Sequence, residues 1–293
     1  MDGSLKPQKI MNLKKLRDLE RSYKLSIESE VEVEGKLKCK CCQSTVKFLG
    51  DVDFAKTCMD RLGAAVFEDS KCMVPYYKCT NCGFIFTNFA DQWPADTVSE
   101  MIYNEEYQKA DGVLPGWEAG EEDPRQTISY KNGLRLIKNL GINSDQGLQI
   151  LDYGSGGNPG NTGLCFEDNG FDLTSYEPYL CDDALELKHS KYDLIYSIEV
   201  FEHVIDLENL IIFMAQNLSD RGLMYVETMI HPHPADETIL KSWYIAPRNG
   251  HFSIFTFAAM FLLFKKVGIN CVQTPFGMIG FKNKPLFKNN IFV

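Results

Sequence analysis

The sequence predicts an α/β protein: a mostly parallel sheet with helices on both faces, preceded by a small cysteine-rich module. Three observations carry this. From residue 127 onward, short runs rich in Ile, Leu, Val and Tyr alternate with longer stretches of helical periodicity. Strands spaced by helices form parallel sheets covered on both sides. One strand candidate, "LQILDYGSGGNPG", runs straight into a glycine turn, and seven of the ten cysteines crowd between positions 39 and 82.

The elements follow in order. In residues 8–30, Ile10, Leu13, Leu16 and Leu19 recur about every three positions among mixed charges, which predicts an amphipathic helix. Residues 1–38 form this N-terminal helical segment. Residues 39–90 are the cysteine module, with β-like runs in "VPYYKC" and "GFIFTNF". Residues 91–126 are acidic, carry Pro94, Pro115 and Pro124, and are expected to be an irregular connector able to fold over a site. Residues 127–293 are the α/β domain. There "ISYKNGLRLIKNL" is helical and stopped by Gly141, "GLQILDYG" is a buried strand, and "NTGLCFEDNG" is a helix closed by Gly170. "FDLTSYEP" and "YDLIYSIEV" are strands, "DLENLIIFMAQNLSDRG" is a helix running to Gly222, and "LMYVETMI" is a strand. "FTFAAMFLLFKKVG" is the last helix and "INCVQTP" the final strand.

Ligands of such sheets bind beyond the carboxyl ends of the strands, where the glycine turn lies. No lysine follows the glycines, so the turn is not a triphosphate loop. Gly154, Gly156, Gly157 and Gly160 also miss the dinucleotide spacing G-x-G-x-x-G by one position. Asp152, just before the turn, would repel a pyrophosphate and suit a cation. Glu177, 25 residues further on in "SYEP", ends the next strand, where an acid accepts the hydroxyls of a ribose. A cation on an adenosine without phosphates describes S-adenosylmethionine. A plain strand–helix turn is the alternative for the glycines taken alone.

"DLIYSIEVFEHV" (193–204) then ends a strand with Glu199, Glu202 and His203. With "LDYGSGG" and "YEP", in this order, it resembles the class I S-adenosylmethionine-dependent methyltransferases over about residues 127–275. The resemblance implies a Rossmann-like fold. It places Asp152, Gly154 and Gly156 along the methionine moiety, Glu177 at the ribose, and Glu199 within the cofactor-binding set. The gap between "SYEP" and "KYDLIYS" is too short for the usual helix and strand, so a shortened sheet is expected, with Asp182 or Asp183 as candidates for the adenine contact.

"KCKCCQS" and "YYKCTNCGF" supply Cys39-x-x-Cys42 and Cys79-x-x-Cys82. Two such pairs can present four thiolates tetrahedrally to a structural Zn²⁺. Buried unmetallated thiols and a redox dithiol are the alternatives, the latter calling for a single pair at a helix start. Cys41 is a spare that could replace a neighbour. A four-cysteine module ahead of this core resembles the arrangement in saccharide and glycan methyltransferases.

Methyl transfer to a hydroxyl needs alignment and removal of a proton. His203 and His251 are the candidate general bases, with His231 and His233 in reserve. Trp243, Tyr244 and Arg248 are candidates for a sugar-stacking wall. The expected activity is O-methylation of a saccharide, glycan or nucleotide-sugar. The rivals are methylation of a small metabolite or a sugar carbon, and a non-catalytic cofactor-binding scaffold. With 30 basic against 40 acidic residues the chain carries a net charge of −10, which argues against nucleic acid and anionic membranes as partners. No apolar stretch is long enough to span a bilayer and no secretory leader is evident, so a cytoplasmic protein is expected.

Overall fold

The computed structural model describes residues 7–30, 36–63, 65–111, 124–178, 187–232 and 236–286. In chain order the helices are α1 (Leu13–Glu30), α2 (Ala95–Met101), α3 (Tyr107–Asp111), α4 (Pro124–Leu140), α5 (Asn161–Asp168), α6 (Leu207–Asn217) and α7 (Phe257–Lys266). The strands are β1 (Val46–Asp53), β2 (Met73–Cys79), β3 (Ile85–Phe86), β4 (Gln149–Tyr153), β5 (Asp172–Tyr176), β6 (Tyr192–Ile198), β7 (Leu218–Glu227), β8 (Ser253–Ile254), β9 (Asn270–Gln273) and β10 (Gly277–Phe281). Two compact units result. One comprises Met1–Val113, Glu202–Leu207 and Ile230–Ala259, the other Leu114–Phe201, Glu208–Met229 and Met260–Val293.

The second unit is a six-stranded Rossmann-like sheet of order β5-β4-β6-β7-β10-β9. The first four strands are parallel, and β10 runs antiparallel to both β7 and β9. Central parallel strands are covered on both faces and therefore read as unbroken apolar runs. In β6, "YDLIYSI", Leu194, Ile195 and Tyr196 are all fully buried. Ile150, Phe166, Leu173, Leu194, Tyr196 and Leu223 share one core, within which Tyr196 stacks on Phe166 at 5.0 Å. Helices α4 and α5 approach closely at Gly133, where an added Cβ would lie 2.7 Å from that of Cys165.

Two boundaries differ from the sequence expectation. Helix α6 stops at Asn217, and β7 already begins at Leu218 rather than beyond Gly222. The sheet accommodates the extra length by an irregularity opposite β6, where Tyr192 pairs with Leu218 but Leu194 with Leu223. The strand at 270–273 is not the last: β10 follows and inserts between β9 and β7. Glycine makes that insertion possible, since a Cβ at Gly277 would fall 2.0 Å from the Val226 carbonyl oxygen. Among the described residues no strand lies beyond β5. Asp182, Asp183 and His233 lie outside the described residues.

The first unit holds an antiparallel sheet of order β1-β2-β3-β8. Its last strand comes from residues two hundred positions downstream of the first, with Ile85 opposite Ile254. The acidic stretch after residue 91 is less irregular than its composition suggests. Pro94 caps α2, which buries Thr97, Val98 and Met101. Among the described residues no helix is long and apolar enough to cross a membrane.

Candidate active site

The glycine turn leaves β4 at Tyr153. Gly154 and Gly156 adopt φ of +78° and +66°, in the left-handed region that glycine enters without steric cost. A Cβ at Gly154 would meet Val200 Cγ2 at 2.4 Å, whereas Gly156 faces open space. At Gly160 a Cβ would lie 1.8 Å from the carbonyl oxygen of Ser155, so the turn folds back on its own backbone there. Gly160 then occupies the N-cap of α5 without any side-chain cap. Two N–H groups of the turn tie it to the end of β5: that of Gly154 donates to the Tyr176 carbonyl (2.8 Å) and that of Gly156 to the side-chain Oε2 of Glu177, the next residue (3.0 Å). The turn thus positions the carboxylate expected to meet a ribose.

Asp152 is 4% exposed, beneath the turn, and Gly163 of α5 leaves room for its carboxyl. Its Oδ2 is buried and has no hydrogen-bond partner among the described residues. Burial, helped by the nearby Glu177 charge and opposed by the Tyr196 hydroxyl, pushes the carboxyl up to about 7. An orphaned buried carboxylate oxygen, with open space at Gly156, fits a ligand that brings a positive group. Glu199 stands exposed just beyond β6 with φ of +53°, held by its N–H on the Glu227 carbonyl at 2.8 Å. A left-handed non-glycine residue is strained and is typical of functional loops.

In the first unit the chain brings together Glu202, His203 and His251, whose ligating atoms lie within 4.8 Å of one another. Glu202 is fully buried and His251 is 5% exposed. The rings of His203 and His251 meet edge to face at 4.7 Å. Burial pushes both imidazoles down to about 4; the backbone around Asn249 and Gly250 opposes this at His203, and at His251 the neighbouring His203 adds to it. Both are therefore neutral near pH 7. His251 Nδ1 contacts the Tyr244 carbonyl at 2.7 Å, which assigns the proton to Nδ1 and the lone pair to Nε2. Cys58, 3.9 Å from both ring nitrogens, is a neighbour that no spacing in the sequence pointed to.

The proposed sugar-stacking wall is corrected in part. Tyr244 is 2% exposed, and Arg248 is fully buried. Arg248 donates to the Ile102 carbonyl (3.0 Å) and Asn104 Oδ1 (2.7 Å), and pairs with Glu106 (3.4 Å). Neither side chain presents a face to a ligand. Trp243 is half-buried and lies against Arg61, 4.9 Å from the guanidinium to the ring centre. His231 is half-buried and turns Nδ1 toward the Pro232 carbonyl at 3.1 Å.

The Sγ atoms of Cys39, Cys42, Cys79 and Cys82 also lie within 4.8 Å of one another. Cys39–Cys82 and Cys42–Cys82 are 3.6 Å apart and Cys42–Cys79 3.5 Å. A disulfide needs about 2.05 Å between sulfurs, whereas a tetrahedral ion with bonds of about 2.3 Å needs about 3.8 Å. Both pairs sit in matching turns. Gln43 and Gly83, each following a second cysteine, have φ of +59° and +72°, and their N–H groups return to the Cys39 and Cys79 carbonyls. Cys79 Sγ accepts N–H bonds from Asn81 and Cys82, both at 3.4 Å. Cys41 is not in the quartet; it is fully buried, and burial raises its thiol, which hydrogen-bonds to the Cys39 sulfur.

A methyltransferase domain family model matches residues 125–274. No curated protein matches the chain at a significant level. Among solved structures, the chain is similar to CalO1, a methyltransferase of calicheamicin biosynthesis bound to S-adenosylhomocysteine, at 15% identity, covering 54% of this chain and 55% of that one, TM-score 0.40. DesVI of Streptomyces venezuelae matches at 14% identity over 54% and 94% of the two chains, TM-score 0.40. Coclaurine N-methyltransferase matches at 18% over 62% and 59%, TM-score 0.35. The chain spans about half the length of CalO1. Through residues 125–274, with their glycine turn and acidic strand ends, the chain belongs to the class I S-adenosylmethionine-dependent methyltransferases.

Proposed function

We propose that the chain transfers a methyl group to a hydroxyl of a saccharide, glycan or nucleotide-sugar. The observation that carries hydroxyl transfer is the buried Glu202–His203–His251 cluster, with its neutral imidazoles. When bound, S-adenosylmethionine supplies an electrophilic methyl on a sulfonium. Asp152, Gly154, Gly156, Glu177 and Glu199 would hold it: Glu177 through the ribose hydroxyls, Asp152 as a buried acidic group, Gly156 by leaving space, and Gly154 by the left-handed backbone that shapes the turn. Neutral His203 or His251 would receive the acceptor's proton, fixing the oxygen lone pair for in-line attack. The saccharide class rests on the four-cysteine module preceding this core, an arrangement that resembles saccharide and glycan methyltransferases. Cys39, Cys42, Cys79 and Cys82 would hold a structural Zn²⁺, with all four positions filled by protein and none left for chemistry.

Tritiated methyl transfer to a panel of saccharides, nucleotide-sugars and small metabolites tests this. Label appearing on a carbohydrate oxygen supports the proposal. Label appearing only on non-carbohydrate acceptors removes the saccharide class. Unchanged rates in both His203→Ala and His251→Ala remove the histidine base.

A further inference from the structure

We infer that Glu202, His203 and His251 form a second metal site, separate from the four cysteines, for a divalent first-row transition ion. Glu202 and His203 are neighbours on a single 3-10 turn, Phe201–His203. His251 reaches them from some fifty residues away because its segment is tied down by backbone. The Phe252 N–H donates to the Glu202 carbonyl (2.9 Å), the Thr87 N–H to the Phe252 carbonyl (3.0 Å), and the Tyr76 hydroxyl to the His251 carbonyl (2.9 Å). Gly250, at φ +82°, allows the tight approach, since its Cβ would fall 3.3 Å from His203 Nδ1. The convergence is therefore fixed by the fold and does not depend on flexible side chains.

The spacing suits a bridging ion better than a direct bond. Glu202 Oε1 and His203 Nε2 stand 3.9 Å apart, too far for a hydrogen bond. Ligand bonds of about 2.0–2.2 Å in tetrahedral arrangement separate donors by about 3.3–3.6 Å, a few tenths from what is seen. The tautomer of His251 is a second, independent sign. Metal-bound histidines characteristically donate their other N–H to a carbonyl, as His251 does to Tyr244 at 2.7 Å, leaving Nε2 to ligate. Two imidazoles and one carboxylate select a transition ion over Mg²⁺ or Ca²⁺, which prefer all-oxygen shells. Three protein ligands leave a position open for an outside oxygen.

Metal binding by these residues does not depend on the function proposed above; its use in activating an acceptor hydroxyl does rest on that reading. With an ion bound, the imidazoles are ligands, and activation of a coordinated hydroxyl passes from direct proton abstraction to polarisation by the metal.

The test is metal content and the Co²⁺ electronic spectrum of the full chain, stripped and reloaded, for the unmodified protein and for Glu202→Gln, His251→Gln and Cys79→Ser. The expected result is a second equivalent of metal beyond that held by thiolates. It should be lost in Glu202→Gln and His251→Gln, which keep the sulfur-to-cobalt bands, and kept in Cys79→Ser. If a substitution prevents folding, the unmodified chain decides: nitrogen–oxygen-type bands beside the sulfur bands support the site, and sulfur bands alone overturn it. Full metal content in both Glu202→Gln and His251→Gln also overturns it. Methyl transfer on the same samples separates the two proposals. Transfer with only the thiolate-bound ion leaves the function standing without the site; a second ion with no transfer to any hydroxyl does the reverse.

Discussion

Substituting Gly154 by alanine tests the cofactor turn where the structure is most demanding. Two independent costs arise. An alanine at φ +78° sits in the left-handed region, at about 1–2 kcal/mol. Its methyl would also approach Val200 Cγ2 to 2.4 Å, and forcing an extra carbon into a filled site costs about 1–3 kcal/mol. Together the penalty is about 2–5 kcal/mol, on the order of 30-fold to several-thousand-fold if it appears in binding. Urea unfolding and calorimetric titration with S-adenosylhomocysteine would divide it between stability and affinity. Because the obstacle is a side chain, Gly154→Ala with Val200→Ala should recover the steric share and keep the backbone share. Gly160→Ala should have no such rescue, since its Cβ meets the Ser155 carbonyl oxygen at 1.8 Å. Wild-type stability and affinity in Gly154→Ala would refute the reasoning, and complete recovery in the double variant would refute its backbone part.

Other outcomes follow from the same structure. Asp152 has a folded-state value of about 7 against an ordinary 3.8, so the folded chain binds the extra proton between these values. That contribution is complete below about pH 3.8 and is lost as pH rises toward and through 7, at up to about 1.4 kcal/mol per pH unit. Urea unfolding without cofactor should show this slope in the wild type and not in Asp152→Asn; equal pH dependence in both would contradict it. Removing metal with a chelator should expose Cys39, Cys42, Cys79 and Cys82 to a thiol reagent while Cys165, buried in the other unit, stays slow; protection of all five would argue against a thiolate-held ion. Arg248→Ala leaves Glu106 without its buried partner and should cost about 3–5 kcal/mol in denaturant unfolding. A variant of undiminished stability would show the pair to be dispensable.

The parallel half of the sheet was legible because its strands are buried on both faces and must be continuously apolar. "YDLIYSI" and "LQILDY" leave little choice. The cysteine quartet was legible because matching C-x-x-C turns carry their geometry locally, down to the left-handed residue that follows each pair. Less visible was anything set by long-range pairing. β10 is a short glycine-containing run whose strand identity comes from β7 and β9 on either side. The burial of Arg248 depends on Asn104 and Glu106, more than 140 residues earlier, so an arginine beside two aromatics passed for surface. The meeting of His251 with Glu202 and His203 was equally hidden, although each histidine had been singled out. Their spacing in sequence says nothing of the backbone bonds that join the two segments.

The central claim is that this chain binds S-adenosylmethionine with Glu177 on the ribose. Calorimetric titration of S-adenosylhomocysteine into the full chain and into Glu177→Ala tests it most directly. Two charge-assisted hydrogen bonds at about 1.5–3 kcal/mol each predict saturable wild-type binding weakened about a hundredfold or more in the variant. A folded wild-type chain that takes up no S-adenosylhomocysteine, or a Glu177→Ala variant that binds it equally well, would contradict the account.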